Sequence, residues 1–150
     1  MNPLLTTDMI VVEFAGIPPA NGRPRFTRTG IAFTPAKTRA NEAALRFAAQ
    51  EVMAGRSPLE GPLAVSIVAV FPVPASWSKP KQHAALMGEH HHTCRPDPNN
   101  LLKSIDALNA ICWRDDAQIV RAEIIKIYGT RTRMTIEIKP MNGGAAPERK

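Results

Sequence analysis

The chain has 150 residues, with 19 Lys and Arg against 13 Asp and Glu, a formal net charge of +6 and a hydrophobic fraction of 44%. That suits one domain with a sizeable core, and the positive balance is a weak hint of a polyanionic partner. No apolar run approaches the ~20 residues that cross a bilayer, and no signal-peptide pattern opens the chain, so a soluble cytoplasmic protein with no membrane partner is expected. The two cysteines, Cys94 and Cys112, exclude a disulfide framework and a zinc site and read as reduced, mostly packed thiols.

Residues 1–8 are polar and predict a flexible N-terminus. Met9 to Phe14 reads as a short strand with Glu13 as its one charge, broken at Gly16-Ile17-Pro18-Pro19. Arg23, Arg25 and Arg28, with Phe26 among them, lie in a loop-like stretch between Gly22 and Gly30. Such a stretch is either a solvated loop or a grip on phosphates, to which arginine forks are matched. Thr34-Pro35 predicts a helix start, with the helix running to about Ala54 and stopping at Gly55. Its apolar stripe is expected at Leu45, Ala48, Ala49 and Val52, with Arg46 in water. Lys37 and Arg39 fall at its N-terminal end, where free backbone N–H groups also favour anions.

Leu63 to Phe71 is apolar on both parities, the pattern of a central strand, and Pro72 and Pro74 end it. Trp77 to Met87 predicts a small helix or irregular excursion, with Ser78 as cap and Gly88 as stop. His90, His91 and His92 are adjacent, so their side chains diverge and a surface or strand-edge role is expected over a shared ion. After residue 118, Ile119 to Tyr128 and Arg131 to Ile138 form two alternating runs around Gly129-Thr130, a hairpin signal. Met134, Ile136 and Ile138 share one face of the last run. Residues 140–150 predict a flexible C-terminal tail.

Between the small helix and the last two runs lies the densest mixture of acid, amide and base. It reads Arg95-Pro96-Asp97-Pro98-Asn99-Asn100-Leu101-Leu102-Lys103, followed by Trp113-Arg114-Asp115-Asp116-Ala117-Gln118. Prolines on both sides of Asp97 favour extended backbone, which would turn Asp97 and Asn99 to one side. Leu101, Ile105 and Leu108 recur at helical spacing and predict a helix opening at Asn99 or Asn100. Each residue taken singly is also what a turn, a cap or a solvated loop would contain. Taken together they make a candidate metal site, with Lys103 about one turn into the helix.

The joint pattern resembles the RusA-type Holliday junction endonucleases. Their signature, Pro-Asp-x-Asp-Asn-Leu-x-Lys, then Asp-Ala-Leu-Asn, then Asp-Asp-Ala-Gln-Val, is matched by Pro96 to Lys103, Asp106 to Asn109 and Asp115 to Val120. Gly22-Arg23-Pro24-Arg25, Gly30 with Thr34-Pro35, and Leu59 to Leu63 are also similar, so the likeness covers residues 9–139. It implies one α+β endonuclease domain, a mixed sheet of about four to five strands with two main helices packed on it, and a homodimer. It implies hydrolysis of phosphodiesters in four-way branched DNA during recombination and repair, with Mg²⁺ or Mn²⁺ as cofactor. In that reading Asp97, Asn99 and Asp116 are the metal ligands, and Lys103 and Asp115 complete the catalytic group. Asn100 supports the loop, and Arg23, Arg25, Arg28, Lys37 and Arg39 bind DNA. Asn99 departs from the pattern, because the family has an aspartate there. Ala110, where the family often has glycine, and a motif helix about one residue short are lesser departures. An amide oxygen can bind a hard cation but carries no charge. An active endonuclease, a branched-DNA-binding protein with impaired cleavage, and a basic scaffold protein all stay open.

Overall fold

The strand that is apolar on both parities becomes an interior strand. In a computed structural model that describes residues 9–19, 25–33 and 36–141, Leu63–Phe71 (here β4) has a neighbour on each side. β1 is Ile10–Ala15, β5 is Ile119–Tyr128 and β6 is Arg133–Pro140. The sheet order is β1-β6-β4-β5, with β6 antiparallel to both β1 and β4 and β5 parallel to β4. The domain is therefore α+β with a single mixed four-stranded sheet. Register aligns Val12, Ile136, Ile67 and Ile124 in one row across it, with Ile10, Ile138 and Val65 in the row beside. These apolar rows, Met134 included, form the core face.

The hairpin expectation fails. β5 and β6 never pair, because β4 lies between them. Alternation showed two consecutive strand-like runs but not which strand each would choose. A strand as apolar as β4 gains most by filling both of its edges, so it takes the interior position. The Gly129 link crosses the end of β4, and the Gly129 N–H donates to the Phe71 carbonyl at 3.0 Å.

Helix α1, Ala36–Met53, packs on β1 through Leu45, Ala49 and Met53. Of the expected stripe, Leu45, Ala48 and Ala49 face the core, and only Val52 turns to water, with Met53 buried in its stead. Helix α2, Lys79–Leu86, starts where Ser78 accepts the Lys81 N–H, as the sequence predicts. A parallel β4–β5 pair needs a long crossover. That crossover carries α2, helix α3 (Pro98–Lys103) and a tight 3-10 turn at Ser104–Leu108, which packs beside α1. Leu101, Ile105, Leu108 and Trp113 anchor it in the core.

Within the basic stretch, Arg25 and Phe26 are strand and Arg28 lies in a turn. Arg25–Phe26 (β2) pairs antiparallel with Ala32–Phe33 (β3), making a separate two-stranded ribbon. Its turn is closed by Thr27, whose N–H and hydroxyl both bond Ile31. Arg23, the Thr34-Pro35 helix start, the side chain of Arg25, the expected N-terminal tail at 1–8 and residues 142–150 of the expected C-terminal tail lie outside the described residues. Pro140, where that tail was expected to begin, instead ends β6 opposite Leu63.

Candidate active site

The first acidic residue of the motif begins α3. Asp97 is extended, with φ −79° and ψ 165°, and its Oδ1 accepts the Asn100 N–H at 2.8 Å. The helix thus opens at Pro98, not at an asparagine. Proline suits the first helical position, and aspartate caps as well as asparagine does. Asn99 consequently sits in the first helical turn, so the two-residue alternation expected for Asp97 and Asn99 does not apply. Both side chains remain exposed at the helix mouth, with Asn100 half-buried behind them. Lys103 ends the same helix on the exposed side, about 9 Å further along the axis.

One turn beyond, Asp106 has its carboxyl held above the ordinary range. Burial is the largest cause, followed by the negative charges of Asp116 and Glu42, while Lys103 pulls the other way. The fold therefore gathers Asp106, Asp116, Glu42 and Lys103 into one electrostatic neighbourhood. Of these, Asp106 and Glu42 were not among the sequence candidates for the site. Asp106 was visible within the motif, whereas Glu42 arrives from α1 only because that helix packs on the 104–108 turn.

Asp115 and Asp116 have separate tasks. Asp115 Oδ1 accepts the Ala117 N–H at 2.8 Å and caps a short 3-10 turn at Asp116–Gln118. Gln118 completes it: Oε1 accepts the N–H groups of Arg114 and Asp115, and Nε2 donates to the carbonyls of Leu59 and Gly61 at 3.0 Å each. Gln118 thus pins the chain before β4 to the chain before β5, a role the sequence reading did not assign. Asp116 instead receives the indole N–H of Trp113 at Oδ1, 2.7 Å away.

Among the described residues, no three His, Cys, Asp or Glu side chains converge as a metal cage. Mg²⁺ needs only one or two protein carboxylates beside water and substrate phosphate. Asp97 and Asp116 each keep one carboxylate oxygen outside the hydrogen bonds described, and such oxygens are the hard donors that Mg²⁺ takes.

The histidines do not converge. His92 stacks on Phe71, with ring centroids 3.8 Å apart, and meets Tyr128 edge-on. His90 meets Trp77 edge-on, and His91 is exposed. Burial, then the nearby Lys126 charge, holds the His92 imidazole below its usual range. Lys126 donates to the Cys94 carbonyl at 2.6 Å, tying the approach to Asp97 onto β5. Cys112 is buried as expected, but Cys94 is exposed; both are free thiols. Of the residues expected to bind DNA, Arg28, Lys37 and Arg39 are exposed, and Phe26 on the ribbon is 71% exposed. No described helix is long and apolar enough to cross a membrane.

The domain is an α+β sheet whose crossover brings Asp106 of the motif within electrostatic reach of Asp116, Glu42 and Lys103. The family model described as Endodeoxyribonuclease RusA matches residues 16–139. The chain belongs to the RusA endodeoxyribonuclease family. It is also 30% identical over 141 residues to the uncharacterized protein YqaN of Bacillus subtilis (strain 168), covering 90% of this chain and 99% of that one.

Proposed function

We propose that the protein is a structure-selective endodeoxyribonuclease that nicks four-way DNA junctions in recombination and repair, using Mg²⁺ or Mn²⁺. The observation that carries this reading is that Asp116, Glu42 and Lys103 all act electrostatically on Asp106 of the motif, in a chain of net charge +6. Asp97, Asp116 and the amide oxygen of Asn99 would hold the cation, which when bound supplies Lewis acidity toward water and the scissile phosphate. Lys103 would offset the charge that grows on the phosphate oxygens in the transition state. Asp106, with its raised affinity for a proton, would sit ready to exchange one with solvent beside the reacting group. Asp115 and Asn100 would support through the backbone, Asp115 as a cap and Asn100 through its N–H to Asp97.

Arg23, Arg25, Arg28, Lys37 and Arg39 would grip phosphates flanking the cut, with exposed Phe26 against a sugar or base. Two copies related by a dyad would match the two-fold symmetry of the junction and nick opposing strands. A cytoplasmic setting accords with a DNA substrate and with the free thiols.

A second reading is favoured by one feature: the site offers a neutral amide at Asn99, and both Asp97 and Asp116 already spend an oxygen on protein hydrogen bonds. In that reading the protein binds junctions and cuts them poorly. A labelled four-way junction incubated with the protein and Mg²⁺ or Mn²⁺ separates the two. Paired nicks across the crossover support the first, and salt-sensitive binding without nicks supports the second. Equal affinity for linear and branched duplex defeats both.

A further inference from the structure

Trp113 is the largest side chain fully buried in the core, with 0% of its surface exposed. A buried indole needs an acceptor for its N–H. Here the acceptor is Oδ1 of Asp116, an exposed residue of the motif. The donor is held rigidly on every side. Its own carbonyl accepts the Ala110 N–H at 2.7 Å, its backbone bridges to Leu59 and Asn109, and its ring lies in the core cluster. The acceptor is held too, because Asp116 opens the 3-10 turn that Asp115 caps and Gln118 clamps.

A carboxylate beside an otherwise wet surface has little reason to keep one rotamer unless something fixes it. The indole does so and takes one of its two oxygens. We propose that Trp113 is a positioning residue, which aims Asp116 so that it serves a divalent cation through the single oxygen left outside this bond. This rests on Asp116 being a cation donor, as argued above. Its consequence is that the core, rather than the surface loop, sets the angle at which the cation is met. Hydrogen-bond partners that orient a ligand in this way change metal affinity by about 10–100-fold when removed.

The test uses the full chain and its Asn99→Asp form, with the metal alone as probe. The protein has two tryptophans, so ¹⁵N-edited NMR gives two indole N–H signals, and Trp113→Phe identifies one. In metal-free protein, Asp116→Asn is expected to move the Trp113 signal and leave that of Trp77 in place. Mn²⁺ calorimetry is expected to show about tenfold weaker binding, or more, in Trp113→Phe than in its parent. A Trp113 signal indifferent to Asp116→Asn overturns the proposal. So does equal Mn²⁺ affinity in a folded Trp113→Phe variant, which would leave the indole a purely structural role, or no Mn²⁺ binding in either parent. If Trp113→Phe does not fold, the response of the indole signal to Asp116→Asn and to added Mg²⁺ in the intact chain decides, and a silent signal counts against the proposal. Failure to nick any branched DNA, with these readouts as expected, would remove the proposed function and leave the positioning role intact.

Discussion

A Cβ added to Gly129 would lie 2.5 Å from Cγ1 of Val70, inside any real carbon–carbon contact. The glycine is therefore there for space, as the chain leaving β5 crosses the end of β4 and bonds Phe71 through its N–H. Gly129→Ala is expected to destabilise the fold by about 1–3 kcal/mol, the usual range for overpacking. Val70→Ala in the same chain should recover part of that loss, although it costs stability by itself. Urea unfolding of the four chains in this cycle reads the coupling, and simple additivity would show that Val70 is not what the glycine avoids.

Gln118 makes four hydrogen bonds to backbone groups on two separate segments. Gln118→Met keeps the length of the side chain and removes all four. The expected loss is about 1–3 kcal/mol, since several of the freed groups can turn to water. Amide exchange at Arg114 and Asp115 should quicken in parallel, and unchanged exchange there would mean that the clamp is absent in solution.

The His92 imidazole is held below its usual range by burial first and by Lys126 second. With the folded value depressed, the unfolded chain takes up the proton first as pH falls, so stability drops below the ordinary histidine range. His92→Phe keeps a ring on Phe71 and cannot take up that proton. Its advantage over the parent should widen between about pH 7 and about pH 5. Urea midpoints at both values measure this, and a constant gap would assign the acid loss elsewhere.

Burial pushes the Cys112 thiol up to about 11, so almost no thiolate exists at neutral pH. Cys94 is exposed. Iodoacetamide at neutral pH should add one label to the native protein, found on Cys94 by peptide mass, and a second only in denaturant. Early labelling of Cys112 would indicate that the crossover opens readily.

The central strand could be read in the sequence because a run apolar on both parities has few other uses, and the last strand's Met134, Ile136 and Ile138 are all fully buried. Strand order could not, because alternation fixes which face of a strand is wet and says nothing of its neighbour. The α1 stripe was legible at Leu45, Ala48 and Ala49 and missed only at its end, where two adjacent apolar residues, Val52 and Met53, compete for the core and Met53 takes it. Asp97, Lys103 and Asp116 were legible as a motif. Glu42, some sixty residues from Lys103 in the chain, was not, because only packing of α1 on the 104–108 turn carries its charge to Asp106. Asp115 was legible as an acid but not as a cap, since the capping geometry depends on where Gln118 finds its partners.

Asn99 separates the two functional readings most sharply. It is exposed in the first turn of α3, beside the Asp97 cap, where an aspartate would also meet the free N–H end of the helix. Asn99→Asp should therefore fold without difficulty and add a carboxylate to a site that now offers an amide. Two outcomes are expected together. The rate of junction nicking in Mg²⁺ should rise by about tenfold or more, and added Mg²⁺ should raise the melting temperature of the variant more than that of its parent, because a ligand stabilises the state it binds. If the parent already cuts at the variant's rate, the amide is a sufficient ligand and the binding-only reading goes. If Mg²⁺ leaves both melting temperatures alone and neither chain cuts any branched substrate, position 99 is not part of a metal site in this protein.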